Sequence, residues 1–260
     1  FKSPIIDLND KSILVTGGTG SFGKQFVNTV LDSYTPRKVI IFSRDELKQS
    51  EMMEALSTRS APPVRFFIGD VRDVDRLEMA MRDVDYVIHA AALKHVPAAE
   101  YNPFECIRTN VHGAENVVTA SIRTNVKRIV ALSTDKAANP VNLYGASKLA
   151  ADKIFVAGNN LSGGRPTYAV VRYGNVAGSR GSVVPFFRRL VDTGAKEVPI
   201  TDDRMTRFWI PITQGVEFVL YCLGDMEAGD VLAPKLPSTT VSEVAGVSPP
   251  ARPQTTRATQ

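Results

Sequence analysis

Residues 12–16, Ser-Ile-Leu-Val-Thr, form a short apolar run that passes directly into Gly17-Gly18-Thr19-Gly20-Ser21-Phe22-Gly23. That junction constrains the fold more than any other stretch of the chain. The apolar run reads as a buried strand. Glycines in the pattern Gly17-x-x-Gly20-x-x-Gly23 permit a tight turn and a close approach of the backbone. Phe22, Phe26 and Val30 then fall on one stripe of a helix that closes near Pro36. Strand, glycine turn and helix in that order point free N–H groups and the positive end of a helix at an anion, best a pyrophosphate. Gly17, Thr19, Gly20, Ser21, Phe22 and Gly23 are the expected lining.

The unit repeats with variations. Lys38–Phe42 is a second strand and ends at Ser43-Arg44. An acidic residue at such a strand end would hold the ribose diol of NAD, whereas a serine and an arginine suit a 2′-phosphate. The expected cofactor is therefore NADP, with Ser43 and Arg44 as its phosphate contacts. A third strand, Val64–Ile68, ends in Gly69-Asp70-Val71-Arg72-Asp73. Asp70, with Val71 beside it, is placed to meet the adenine amino group or to cap the next helix, whose buried stripe is Val74, Leu77 and Met81. The fourth strand, Tyr86–Ala92, carries small residues at Ala90 and Ala91 that let a cofactor lie against the backbone. The loop Leu93-Lys94-His95-Val96-Pro97 follows it, and a long helix from about Pro103 to Thr124 carries Asn110. Strand and helix thus alternate, and every candidate residue follows a strand. The expectation is an α/β fold, a Rossmann-type doubly wound parallel sheet with its ligands at the carboxyl edge.

The fifth strand, Arg128–Leu132, delivers Ser133-Thr134-Asp135-Lys136, and Tyr144-Gly145-Ala146-Ser147-Lys148 opens the next helix. Tyr144 and Lys148 are one turn apart and share a helix face. An ammonium beside a phenol favours the phenolate and lowers its pKa, which would let Tyr144 accept a proton from an alcohol. After a sixth strand, Tyr168–Arg172, come Asn175, a glycine-containing loop at 179–182, a helix opening at Pro185 and an apolar helix at Val216–Leu223 that returns to the sheet.

The net charge of +4 is scattered over 260 residues, which fits a small anionic ligand at least as well as nucleic acid, and no nucleic-acid partner is expected. Cys106 and Cys222 have no disulfide or metal spacing, and His89, His95 and His112 form no ligand motif, so no metal is expected. No apolar run approaches the ~20 residues of a membrane span. With no signal-peptide pattern at the start, a cytoplasmic protein is expected.

In combination these motifs resemble the extended short-chain dehydrogenase/reductase family, and within it the inverting UDP-N-acetylglucosamine 4,6-dehydratases of the type that opens pseudaminic acid synthesis. The likeness runs from about Asp10 to about Leu236. It also includes Ser43-Arg44-Asp45-Glu46-Leu47-Lys48, Ala137-Ala138-Asn139-Pro140, Arg172-Tyr173-Gly174-Asn175-Val176 and Met205-Thr206-Arg207-Phe208-Trp209. Sugar-retaining dehydratases typically carry Glu where this chain has Lys136, and simple epimerases lack the Asp-Lys pair. The resemblance implies that Tyr144, helped by Lys148 and Thr134, removes the C4 hydroxyl proton of a nucleotide sugar. It implies Lys136 as the base at C5 and Asp135 as the acid at the C6 hydroxyl. It further implies Lys94, Asn175 and Arg207 as contacts to UDP-N-acetylglucosamine or a similar nucleotide sugar, and a homo-oligomer.

Relatives continue well beyond the position of Leu236, whereas Pro237–Gln260 is rich in Pro, Ser, Thr and Ala and carries no aromatic residue. The expected division is an NADP-binding domain at 1–177 with a returning helix at about 212–224, an incomplete substrate-binding region at 178–236, and an unstructured, truncated or out-of-frame tail at 237–260. Two other readings remain: a non-catalytic NADP-binding or oligomer-forming module, and a nucleotide-sugar epimerase or reductase.

Overall fold

The computed structural model describes residues 6–59, 63–177, 183–195, 197–200, 202, 204–243 and 252–255. β1 (Ser12–Thr16) leads through the glycine turn to α1 (Ser21–Ser33), β2 (Lys38–Ser43) to α2 (Glu46–Leu56), and β3 (Val64–Ile68) to α3 (Val74–Met81). β4 (Tyr86–His89) precedes α4 (Val96–Tyr101), α5 (Pro103–Ile107), a π-helical turn at Arg108–His112 and α6 (Gly113–Arg123). β5 (Arg128–Thr134) enters a 3-10 turn at Asp135–Ala137, then α7 (Leu143–Leu161) and β6 (Thr167–Tyr173). The remainder comprises β7 (Asn175–Val176), α8 (Val183–Asp192), β8 (Glu197–Ile200), β9 (Thr206–Ile210), α9 (Ile212–Asp225), β10 (Val231–Leu232), β11 (Ser238–Thr240) and β12 (Arg252–Thr255).

Seven strands form one parallel sheet in the order β3-β2-β1-β4-β5-β6-β10. Both faces are buried, as the apolar composition of the strands requires. Alternation along each strand divides the core in two. Ile13, Val15, Val39, Ile41, Val130 and Leu132 join the cluster that takes in α1 and α9. Leu14, Ile40, Phe42, Ile129 and Ala131 join the opposite cluster with α3, α6 and α7. The doubly wound sheet is thus as the sequence indicated, with β10 as an additional edge strand. Asp73, not Asp70, caps α3, accepting from Arg76 N at 2.9 Å.

β7 leaves the large sheet and pairs with β9, which carries β11 on its other side. The expectation of a tail without structure from Pro237 is corrected for its described parts. Ser238–Thr240 runs antiparallel to Thr206–Phe208, and Val241 N donates to Met205 O at 2.9 Å. Thr240 and Glu243 cap each other, Thr240 N to Glu243 Oε2 at 2.7 Å and Glu243 N to Thr240 Oγ1 at 3.1 Å. The signal was present as Thr-x-x-Glu, a capping box that composition alone obscures. Arg252–Thr255 pairs with β8. The loop at 179–182 lies outside the described residues. Among those described, no helix is long and apolar enough to cross a membrane.

Candidate active site

At the end of β1 the backbone turns through Gly17 at φ +65°, a conformation that favours glycine. A Cβ there would meet Ala91 Cα and N at 2.9 Å and the Ala90 carbonyl carbon at 3.0 Å. This contact explains both the glycine and the two alanines. The Thr16 hydroxyl accepts from Ala90 N at 3.1 Å and Ala91 N at 3.2 Å, lacing the ends of β1 and β4 together. Gly23 packs on the backbone of Gly18, closer than any side chain allows, so α1 sits directly on the turn. Gly20 is the residue before α1 and no side chain caps the helix there. Thr19 is buried, and Phe22 stacks on Phe26 at 5.9 Å. Gly17, Thr19, Gly20, Ser21, Phe22 and Gly23 therefore form one cradle whose open end is a helix N-terminus.

The ends of β2 and β3 flank it. Ser43 is buried, and its hydroxyl and carbonyl accept from Gln49 Nε2 at 3.0 and 2.9 Å. That side chain fastens β2 to α2, a structural task the sequence reading did not assign. Arg44 is exposed, and its guanidinium lies 3.6 Å from Asp70 Oδ2. Burial pushes the Asp70 carboxyl up, but hydrogen bonds and charge from Arg72, with Arg44 behind, hold it below the usual range. Val71 is buried against Gly113, and its carbonyl accepts from Asn116 Nδ2 at 3.0 Å.

The third group stands where β5 meets α7. Asn142 caps α7, accepting from Gly145 N at 2.8 Å, and Glu100 accepts from Leu143 N at 2.7 Å. Gly145 packs on the Lys136 carbonyl, again closer than a side chain permits, and this draws Tyr144 onto Thr134. The Tyr144 phenol lies near the Thr134 side chain, whose hydroxyl acts to lower its pKa. Thr134 Oγ1 donates to Asp135 Oδ1 at 3.0 Å. Lys136 Nζ donates to the same carboxylate oxygen at 3.1 Å and to Asn175 Oδ1 at 3.2 Å. Thr134, Asp135, Lys136 and Asn175 thus form one chain of hydrogen bonds, with Tyr144 beside it.

Lys148 is also there, but it corrects the sequence argument. Its ammonium donates to the Leu132 carbonyl at 2.7 Å, and burial lowers its own pKa. Burial pushes the Tyr144 phenol up to about 12, the Thr134 hydrogen bond pulls it down, and Asp135 and Asp152 push it up further. Desolvation outweighs the expected help from the lysine, so the phenol is protonated when the chain stands alone.

Lys94 lies on an exposed loop where desolvation still holds its amine below the usual range. Asn110, in the π turn, clamps this loop. It accepts from Leu93 N at 2.8 Å and donates to Leu93 O at 2.9 Å and to Ser147 Oγ at 2.9 Å. Arg207 donates to Thr206 O at 2.8 Å. Trp209 pairs with Asn175, so strand alternation puts Arg207 on the face that bears Asn175. His89 is buried, and its pKa is pushed down to about 3 by burial and by Lys148, which makes it a neutral core residue. His112 meets Glu115 at the surface. Among the described residues no group of three His, Cys, Asp or Glu could hold a metal ion. The sequence reading missed the clamp at Asn110 and the buried pair of Asp152 with Arg172, whose Nε donates at 2.8 Å. A polar residue inside an apolar helix stripe was the available signal for each.

Residues 13–248 match the family described as polysaccharide biosynthesis protein. The chain belongs to that family. The protein is similar to the UDP-N-acetylglucosamine 4,6-dehydratase (inverting) of Campylobacter jejuni subsp. jejuni serotype O:2. Identity is 61% over 238 residues, covering 91% of this chain and 70% of the relative. It is also similar to the UDP-glucose 4-epimerase of Rickettsia akari, 45% identical over 240 residues, covering 91% of this chain and 69% of the relative. Among solved structures it resembles Pen from Bacillus thuringiensis, with a TM-score of 0.90 and 34% identity over 97% of this chain and 80% of that one.

Proposed function

We propose that this protein is a nucleotide-sugar 4,6-dehydratase that takes UDP-N-acetylglucosamine to a UDP-4-keto-6-deoxy sugar with inversion at C5. The observation that carries the reading is the pair of Asp135 and Lys136, one acid and one base 3.1 Å apart, beside Tyr144. The similarity to the Campylobacter dehydratase supports it.

The cradle suits a dinucleotide, because Gly17 lets the ends of β1 and β4 close on each other and the N-terminus of α1 has no side-chain cap, leaving its N–H groups for a pyrophosphate. We assign NADP to it, with Arg44 meeting the 2′-phosphate. When bound, NADP would supply a reversible two-electron acceptor and, in its oxidised form, a positive charge that favours the phenolate. Tyr144 accepts the C4 hydroxyl proton, with Thr134 sharing the hydrogen bond and Lys148 holding its charge on the same helix face. Loss of that proton and oxidation at C4 acidify the C5 hydrogen. Lys136 removes it, and Asp135 protonates the departing C6 hydroxyl; the hydride taken from C4 would come back to C6, and a proton added at C5 from the opposite face would invert that centre. The ion pair is already arranged for both tasks. The two steps need Lys136 as a free amine and Asp135 as a carboxylic acid. Asn175, which accepts from the same ammonium, then orients the amine. Arg207 and Lys94 are assigned to the anionic end of the substrate.

We further assign cofactor binding to 1–177 with α9, and substrate binding to 178–236. Exposed Tyr101, Phe104 and Val141 support self-association. The Rickettsia relative favours one second reading, an epimerase, in which Asp135 and Lys136 would have no task. Incubation with UDP-N-acetylglucosamine and NADP⁺, followed by mass spectrometry, decides between them. The dehydratase reading expects loss of one water. An unchanged mass with a C4 epimer by NMR would establish the rival.

A further inference from the structure

Lys148 and Asp152 lie one turn apart on one face of α7, and both are buried, with 4% and 2% of their surfaces exposed. A buried ammonium and a buried carboxylate each need compensation. The contact of Lys148 is the Leu132 carbonyl, a dipole and not a counter-ion. Asp152 instead receives Arg172 Nε at 2.8 Å. Arg172 comes from β6 and stands opposite Ser133, the residue after Leu132. The carboxylate therefore touches one cation and acts on the other through a dry interior, where charges are weakly screened.

We propose that Asp152 is a positioning residue for the proton-transfer site: its carboxylate keeps the Lys148 ammonium charged in its buried seat, and Arg172 sets how much of that carboxylate's field Lys148 feels. The inference deepens the assignment of Tyr144 and Lys148 as the proton-transfer pair, and its functional meaning rests on that assignment. Among the described residues, the other titratable groups that bear on this seat or on the Tyr144 phenol next to it are His89 from β4, Tyr144 from α7, Tyr173 from β6, Cys106 from α5 and Asp135 from the turn after β5. His89 is pushed down to about 3, Tyr144 up to about 12, and burial drives Tyr173 above its usual range, so none of these three titrates between neutrality and moderate alkali. A Cys106→Ala background removes the thiol.

Burial holds the Lys148 amine below the usual lysine range, and Asp152 pulls it back up. A lysine whose folded pKa lies below its unfolded value of about 10.4 weakens the fold while it is charged. That loss fades as pH rises through the folded pKa towards the unfolded one. Removing the carboxylate deepens the loss at neutral pH and makes it fade sooner.

The test is urea denaturation of the full chain from about pH 7 to about pH 10, the range below the free lysine value. No substrate is needed, so the result is independent of whether the dehydratase reading holds. Asp152→Asn should move the midpoint of the alkaline stability rise about one unit or more lower, the scale of one lost neighbouring charge. Arg172→Gln leaves the carboxylate unshared and should move the midpoint higher. Asp152→Glu should restore the parent midpoint. A purely structural ion pair predicts losses that do not vary with pH. Should Asp152→Asn fail to fold, the direction for Arg172→Gln decides alone. A pH-independent loss, or a midpoint moving down in Arg172→Gln, would overturn the proposal.

Discussion

Tyr144, Lys136 and Asp135 act in sequence in the proposed reaction, so their variants should stop at different points. Tyr144→Phe removes the phenol assigned to the C4 proton and should block oxidation at C4, leaving no NADPH absorbance in a single turnover. Lys136→Ala should permit that absorbance yet admit no solvent deuterium at C5. Asp135→Asn should admit some deuterium, because the ketone still forms, but lose no water. Each missing proton-transfer group should lower the rate by about 10²–10⁴. Exchange at the parent rate in Lys136→Ala would assign the base elsewhere. Cofactor choice also belongs to this scale. Arg44 is exposed and held only loosely by Asp70 at 3.6 Å, so a 2′-phosphate can draw it away. Arg44→Ala should weaken NADP binding by about 1.5–3 kcal/mol, the scale of a hydrogen bond to a charged group, and NAD binding by much less. Equal losses in calorimetric titrations would remove the argument for NADP.

Elements place these residues, and most of them were legible. The strands were, because buried parallel strands read as unbroken apolar runs. So were the cradle, because glycine marks a backbone position that no side chain can share, and Tyr144 with Lys148, because helical spacing fixes their common face. What was not legible came from tertiary contact. The charge state of Tyr144 depends on burial, which spacing does not report. Ser43 meets Gln49 only after α2 folds back on β2. β10 is two residues long and pairs only because β6 offers an edge. β11 was hidden by a composition that resembles a tail. Its strand pairs with β9, which bears Arg207, so truncation before Ser238 should now matter where composition alone implied it would not. Such a truncation exposes the β9 edge far in topology from the glycine cradle. Nucleotide-sugar affinity should therefore fall at least several-fold while NADP affinity stays near the parent value. Loss of both affinities together would mean that the three-stranded sheet supports the whole fold.

Across the whole molecule the two edges of the large sheet divide the work. The carboxyl edge carries the cradle and the residues assigned to proton transfer. The amino edge is closed by Asp85. It accepts from Ser12 N at 2.8 Å, pairs with Lys127 at 2.7 Å and lies 3.8 Å from Arg37. The starts of β1 and β4 and the turns before β2 and β5 are thereby tied to one carboxylate, 13% of whose side chain is exposed. Burial pushes this carboxyl up, but the Lys127 and Ser12 hydrogen bonds and the two positive charges outweigh it, so its pKa is lowered. A carboxyl whose folded pKa lies below the unfolded value of about 3.9 stabilises the fold fully above that value. The contribution is lost as pH falls through the folded pKa. Asp85→Asn should therefore cost about 1.5–3 kcal/mol near neutral pH, the scale of hydrogen bonds to a charged group. The gap between parent and variant in urea denaturation should close as the pH falls below about 4. Cofactor affinity per folded molecule should not change, because the cradle is at the opposite edge. A gap that persists undiminished in acid would show that Asp85 holds the sheet by shape and neutral hydrogen bonding, and that its charge contributes nothing.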